Sequence, residues 1–354
     1  MRQVSLRALA LAALLFVAAT HPLYAEIEPG GAVKADTCAD DGKTLGVSRT
    51  VEVDTNGGVN IGGDQKSATH FLNDGEVVLT FDDGPVKSST KAILKALADQ
   101  CTKATFFMVG QMALSDPEMV REVAAGGNTI GTHTWSHKNM RFAGTKVIDQ
   151  QIESAISTVS KANGAPIAPL FRFPYLSSSR QSEAYLKGRN IGVVWVDVDS
   201  KDYLTRDPEV VKKRILAQLA TTKKGIILMH DIHAWTAKML PGLLAELHDK
   251  GFKVVHMVAK TPVETIASYD AAAEKAIAAK TAAKAADPMA QRSLVWTMTP
   301  PPSAKHKAWK HTKKVQAKPS IVEGLPTSST APAKARSSGK TKDENQPWQF
   351  NFFN

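Results

Sequence analysis

The sequence predicts an α/β fold built on a parallel sheet of about seven strands. Two observations predict it. Between residues 75 and 260, short apolar runs rich in β-branched and aromatic residues alternate with segments of helical periodicity. Strands that alternate with helices imply parallel pairing through helical crossovers. Polar clusters stand directly after the apolar runs, where either a closed βα barrel or an open doubly wound sheet places its active site. Seven units come close to a closed barrel, although the open sheet shares the same local pattern.

Residues 26–74 are polar and rich in Gly and Asp, and read as an N-terminal extension with one strand over 48–53. The first main strand is 77–81, Val-Val-Leu-Thr-Phe. Gly84-Pro85 stops it, because Pro has no N–H for a ladder. Ser88 is placed to cap a helix running to 99. A strand follows at 104–109. Ser115-Asp116-Pro117-Glu118 supplies an N-cap and an early Pro for a helix that ends at Gly126-Gly127. After a strand at 128–132, residues 146–162 carry Val147, Ile148, Ile152, Ala155, Ile156 and Val159 at mostly helical spacing, before Asn163-Gly164. Strands at 170–173 and 192–196 come next. Asp207-Pro208 opens a helix to about 222. A strand at 226–229, a helix at 238–250 stopped by Gly251, and a strand at 253–258 complete the pattern. Beyond 261 the composition shifts. Residues 271–286 are rich in Ala and Lys and suit a surface helix, and from 299 Pro, Lys, Ser and Thr dominate, a disordered type of composition.

At 354 residues and 43% hydrophobic content, the chain can bury a sizeable core. Its net charge of +10 is uneven: residues 261–354 hold 14 Lys/Arg against 7 Asp/Glu, which leaves only +3 for residues 1–260. The basic tail could contact anionic envelope polymers, with a solvated linker as the alternative. Residues 1–25 read as a secretory signal, with Arg2 and Arg7 ahead of a short apolar run and a cleavage site before Glu26. An uncleaved anchor is the alternative. Export places the protein in the periplasm or outside the cell and makes nucleic acid an improbable partner. It also makes the two cysteines, Cys38 and Cys101, a disulfide candidate that would tie the extension to the main domain.

The strand ends carry the chemistry. Asp82 and Asp83 follow the first main strand; as an isolated pair they are equally good turn residues. His133 and His137, four apart, suit joint metal ligation if the segment turns helical. Two imidazoles and a carboxylate with open positions make a hydrolytic Zn²⁺ site, and the same donors suit non-haem Fe(II). Arg172 could pair with a carboxylate. Asp197, Asp199 and Asp202 follow the fifth strand, and His230 follows the sixth, where a general acid could stand.

Five ordered motifs over residues 75–260 resemble those of the polysaccharide deacetylase family, the carbohydrate esterases that share the nodulation-type chitooligosaccharide deacetylase domain. They are Thr80-Phe81-Asp82-Asp83-Gly84-Pro85, His133-Thr134-Trp135-Ser136-His137, Arg172-Phe173-Pro174-Tyr175, Asp199-Ser200-Lys201-Asp202-Tyr203 and Leu228-Met229-His230. Leu176 stands where Gly is common, and Tyr203 where Trp is usual. The resemblance implies a distorted (β/α) barrel. It implies a divalent metal, foremost Zn²⁺, on Asp83, His133 and His137. It implies Asp82 as base oriented by Arg172, and His230 as acid oriented by an Asp of the fourth motif, Asp202 favoured over Asp199. The Tyr175 N–H would serve an oxyanion. Trp135, Tyr175, Tyr203 and Trp235 stand in strand-end loops, where flat faces could pack on sugar rings or simply pack internally.

The implied activity is removal of acetyl from N-acetylglucosamine units of an envelope glycan such as peptidoglycan. A chitooligosaccharide substrate, a catalytically silent glycan-binding protein and an Fe(II) oxygenase are the alternatives.

Overall fold

The computed structural model describes residues 43–63 and 71–286. Residues 1–25, expected to be a secretory signal, Cys38 and the Pro/Lys-rich segment from 299 lie outside the described residues. The strands are β1 (Arg49–Val53), β2 (Asn60–Ile61), β3 (Glu76–Asp82), β4 (Thr105–Met108), β5 (Thr129–Thr132), β6 (Leu170–Phe171), β7 (Gly192–Val194), β8 (Val198–Asp199), β9 (Gly225–His230) and β10 (Lys253–Ala259). The helices are α1 (Lys87–Asp99), α2 (Gly110–Ser115), α3 (Pro117–Ala125), α4 (Thr145–Asn163), α5 (Arg180–Gly188), α6 (Pro208–Thr222), α7 (Ala234–Asp249) and α8 (Ala267–Ala286). Short 3-10 turns cover Pro174–Leu176 and Asp202–Leu204.

All pairings among the described strands are parallel. Hydrogen bonding runs from β3 through β4, β5 and β6 to β7. The chain then continues directly into β8, which pairs with β9, and β9 returns to β3. Asp197 N–H donates to the Ile226 carbonyl (3.1 Å) where β7 gives way to β8. One segment, 192–199, thus bonds to β6 at its start and to β9 at its end, which closes the ring that the resemblance implies. β10 joins the first residues of β3, and β1 lies beyond it. The extension is therefore part of the sheet through β1 and, beside β7, β2. The expected strand at 48–53 corresponds to β1.

β3, β4 and β5 are buried along their whole length. Continuous burial is what a parallel sheet covered on both faces requires, and it explains their near-continuous apolar runs. Side chains on a strand alternate, so residues two apart share a face. The register Val78↔Ile226, Thr80↔Leu228 and Asp82↔His230 therefore stacks three rows along two neighbouring strands. The first row is apolar, packed in a cluster with Phe107, Leu170 and Val194. The last row carries both Asp82 and His230.

The expected helices form, with corrected ends. Ser88 does not cap α1: Val86 holds the N-cap position and Ser88 lies within the first turn. Asp116 caps α3 through Met119 N–H, and Asp207 caps α6 through Glu209 N–H. α7 starts at Ala234 rather than 238, because His233 occupies its N-cap position without a capping bond that would mark it. α2, of six residues, is too short to show a period. α5 starts at a Ser179/Ser182 capping box without the Glu that makes such a box readable.

Residues 267–286, assigned by sequence to a separate tail, form α8, which packs on α4. Ala273 is buried, Tyr269 hydroxyl donates to Asp149 (2.5 Å), and Lys161 pairs with Asp270 (3.7 Å) and Glu274 (2.8 Å). The folded body thus extends past residue 260. Among the described residues no helix is long and apolar enough to cross a membrane.

Candidate active site

The site lies at the carboxyl ends of β3, β5, β6, β8 and β9. Asp82 ends β3, and its burial (2% exposed) is balanced by one cation. Arg172, fully buried just after β6, donates from Nη1 to Asp82 Oδ1 (2.8 Å) and Thr80 Oγ1 (2.7 Å), and from Nε to the Val194 carbonyl (3.1 Å). Its guanidinium lies 4.3 Å from the Phe107 ring centroid. Thr80 passes its own proton to the Ile227 carbonyl (2.6 Å), so its oxygen is free to accept from Arg172. Burial pushes Asp82 up to about 6, with Asp83's charge adding and Arg172 and His230 opposing.

Asp83 turns the other way. Its backbone is left-handed (φ 78°), and its Oδ1 lies 3.2 Å from His137 Nε2 and 3.5 Å from His133 Nε2. His133 is buried and its Nδ1 sits 2.7 Å from the Arg172 carbonyl. A carbonyl only accepts, so Nδ1 carries the proton and Nε2 presents a lone pair. Burial holds this ring neutral, its pKa down at about 3. Asp83 Oδ1 is buried and has no hydrogen-bond partner. A buried carboxylate oxygen without a donor, facing two imidazole nitrogens, has the chemistry of a cation site, and Asp83, His133 and His137 form one of two such groups among the described residues. The carbonyl bond to His133 Nδ1 is the outer support that metal-ligating imidazoles typically carry.

The second group, Asp202, His230 and His233, reads differently. His230 Nδ1 donates to Asp202 Oδ1 (2.6 Å), and Asp202 Oδ2 accepts from His230 N–H (2.9 Å) and Thr236 hydroxyl (2.6 Å). Both carboxylate oxygens are already engaged. Burial alone would lower His230, yet Asp202 beside it, joined by the charges of Asp83 and Asp82, outweighs burial and raises it to about 10. Asp202 falls to about 2: burial raises it, and the His230 charge and the bonds from His230 and Thr236 overcome that. Asp202 thus favours the protonated form of His230, whose Nε2 lies 4.0 Å from Asp83 Oδ2. Asp199 instead accepts Lys201 N–H (2.9 Å) and Tyr203 hydroxyl (3.2 Å), away from His230.

Tyr175 is half exposed, left-handed (φ 60°), and edge-on to His137 with ring centroids 4.7 Å apart. Tyr203 is edge-on to His230 at 5.8 Å. Trp235, expected either to face a sugar or to pack internally, is half-buried with internal partners. His233 stacks on it at 4.3 Å, Arg206 lies 5.6 Å from its centroid, and its Nε1–H donates to the Asp202 carbonyl (2.7 Å). It holds the turn that carries Asp202. Trp135 packs against the start of α2, its ring edge 2.6 Å from where a side chain on Gly110 would begin. Six non-glycine residues here have positive φ: Asp83, Thr134, His137, Tyr175, Leu176 and Lys201. Each left-handed residue costs about 1–3 kcal/mol, and such strain gathers at functional sites.

Sequence reasoning missed Asp231. It is 1% exposed; burial raises it to about 7, with the Thr90 hydroxyl opposing and Asp83's charge adding. Its only sequence signal is an acid placed directly after His230 at the end of an apolar strand.

A family model for polysaccharide deacetylase matches residues 72–193. The chitooligosaccharide deacetylase of Azorhizobium caulinodans is 31% identical over 160 residues, covering 45% of this chain and 75% of that protein. The chain belongs to the polysaccharide deacetylase family. The peptidoglycan-N-acetylglucosamine deacetylase PgdA of Listeria monocytogenes is 31% identical over 179 residues, covering 51% of this chain but only 37% of its own length. A solved peptidoglycan deacetylase of Bdellovibrio bacteriovorus superposes with a TM-score of 0.54 at 32% identity, covering 62% of this chain and 61% of that one.

Proposed function

We propose that this protein is an exported, metal-dependent N-deacetylase that hydrolyses the acetamide of N-acetylglucosamine units in an envelope glycan, peptidoglycan foremost. One observation carries the reading: an ionisable base and a protonated acid, each held by its own buried partner, stand in register on β3 and β9 beside the Asp83–His133–His137 group. Export rests on residues 1–25, and the envelope substrate on that export together with the names of the Listeria and Bdellovibrio proteins.

An acetamide is a weak electrophile, and its nitrogen leaves only as an amine. A divalent cation, Zn²⁺ by its two-imidazole, one-carboxylate donor set, would supply carbonyl polarisation and a more acidic water. Asp83, His133 and His137 would hold it. Asp82, fixed by Arg172, takes the proton from the attacking water. The Tyr175 N–H offers a donor to the developing oxyanion. His230, kept protonated by Asp202, gives a proton to the departing amine. Tyr175 and Tyr203 flank the two histidines and offer exposed rings to the sugar.

The Azorhizobium relative, covered over three quarters of its length, favours a chitooligosaccharide as second substrate class. Mass analysis of products from defined acetylated glucosamine oligomers and from muropeptides separates the two. Loss of 42 Da per acetyl (about, from the chemistry of amide hydrolysis) from muropeptides alone supports the envelope substrate, from oligomers alone the second. No loss from either removes the deacetylase reading.

A further inference from the structure

Asp231 follows the acid His230, is buried, and takes no part in the steps above. Its contacts lead to the end of β3, the turn that follows it and the first turn of α1. Its Oδ1 accepts Gly84 N–H (2.9 Å) and its Oδ2 accepts the Thr90 hydroxyl (2.6 Å). Thr90 Oγ1 in turn accepts Val86 N–H (2.8 Å). Ser89 hydroxyl donates to the Asp231 carbonyl (2.5 Å), and Asp231 N–H donates to the Asp82 carbonyl (3.3 Å). Gly84 has no room for a side chain: a Cβ there would stand 2.0 Å from Asp231 Oδ2. Asp83, between Asp82 and Gly84, is left-handed and is tied on its other side by its own N–H to the Phe107 carbonyl (3.2 Å).

We propose that Asp231 is a positioning residue for the reaction, clamping the Asp82-Asp83-Gly84 turn and the first turn of α1 to the end of β9. The two carboxylates and His230 come from strands 147 residues apart in sequence, as measured between Gly84 and Asp231. Asp231 spans that gap: it is the residue after His230 and is hydrogen-bonded to Gly84, the residue after Asp83. Without it, the left-handed Asp83 is held from one side only, and its carboxylate is free to leave the two imidazoles. The clamp acts through Asp83 and Asp82 and touches no substrate.

The inference rests on the metal reading of Asp83, His133 and His137, and its test separates the two. The full chain and its Asp231→Asn and Thr90→Val variants are titrated with Co²⁺ against a chelator, by visible absorption. Acetate release then gives kcat and KM, and a melting curve confirms folding. Asp231→Asn keeps an oxygen for Gly84 but puts a donor amide opposite the Thr90 hydroxyl; Thr90→Val removes that hydroxyl. Residues that support metal ligands from behind typically change affinity or activity by about 10–100-fold. The expected result is a loss of that size in Co²⁺ affinity or kcat for Asp231→Asn, a smaller loss for Thr90→Val, and KM within about twofold, as for a group that touches no substrate. A folded Asp231→Asn with both quantities unchanged overturns the proposal. If Asp231→Asn fails to fold, Thr90→Val decides on the same two readouts. Absence of Co²⁺ binding by the unsubstituted chain overturns the metal reading and this inference with it.

Discussion

Asp82 and Asp83 are adjacent in the chain and turned to opposite partners. Asp82 Oδ1 meets Arg172 Nη1 at 2.8 Å, while Asp83 Oδ1 lies 3.2 Å from His137 Nε2 and accepts no hydrogen bond. Two like charges this close raise one another's pKa unless each has its own counter-charge. The left-handed backbone at Asp83 is what separates them. Substitution should therefore divide their roles. Asp83→Ala is expected to lose stoichiometric metal after dialysis, and Asp82→Asn to retain it while kcat falls about 10²–10⁴-fold, the usual worth of a general base. Elemental analysis and acetate release on the same samples check both.

Arg172 is a fully buried cation whose counter-charge is Asp82. Removing one member of a buried pair strands the other and typically costs about 3–5 kcal/mol. Asp82→Ala should thus destabilise by about that amount, whereas Asp82→Asn keeps an acceptor for Arg172 and should cost less. Arg172→Lys loses the fork that reaches Asp82, Thr80 and the Val194 carbonyl together, and should lower both stability and kcat. Denaturant melts of the three variants test this ordering.

The pH profile follows from which form each group must take. In the proposed reaction Asp82 acts deprotonated, so kcat/KM should rise with pH through about 6, or lower once a cation on Asp83 favours its ionised form. In that reaction His230 acts protonated, so activity should fall as pH approaches about 10, or a lower value once a cation offsets the Asp83 charge that helps to raise it. Asp202→Asn removes the main group that raises His230, and should draw the alkaline limb toward the ordinary histidine value of about 6.5. Asp199→Asn should leave that limb in place, since Asp199 bonds Lys201 and Tyr203 instead.

Much of this was legible in the sequence because it is local. Val77 to Phe81 reads as a buried strand, and Asp82, His133, Arg172, Asp202 and His230 each follow an apolar run, where an α/β sheet places its chemistry. The choice between ring and open sheet was not local. It depends on one segment, 192–199, bonding to β6 and then to β9. Asp231 was illegible for the same reason: its partners Gly84 and Thr90 are more than 140 residues away. Trp235's loop position suits a sugar platform and internal packing alike, and its internal partners, the stacked His233 and the Asp202 carbonyl, are not adjacent to it in a way the sequence displays.

α8 belongs to the folded body. A chain ended at residue 262 would lose the Tyr269–Asp149 bond, the Lys161 pairs and the burial of Ala273. It should melt at lower temperature than the full chain, and Tyr269→Phe alone should cost about 1 kcal/mol. Thermal melts of both check this, and an unchanged midpoint for the shortened chain would show that α8 adds no stability.

The central claim is that Asp83, His133 and His137 hold a metal on which deacetylation depends. The direct measurement is acetate released from an acetylated glucosamine oligomer or muropeptide by chelator-treated protein, before and after titration with Zn²⁺. Activity should vanish with the chelator, return at about one equivalent, the stoichiometry of a single three-ligand site, and fail to return in Asp83→Ala. Full activity after chelation, with no bound metal by elemental analysis, would contradict it.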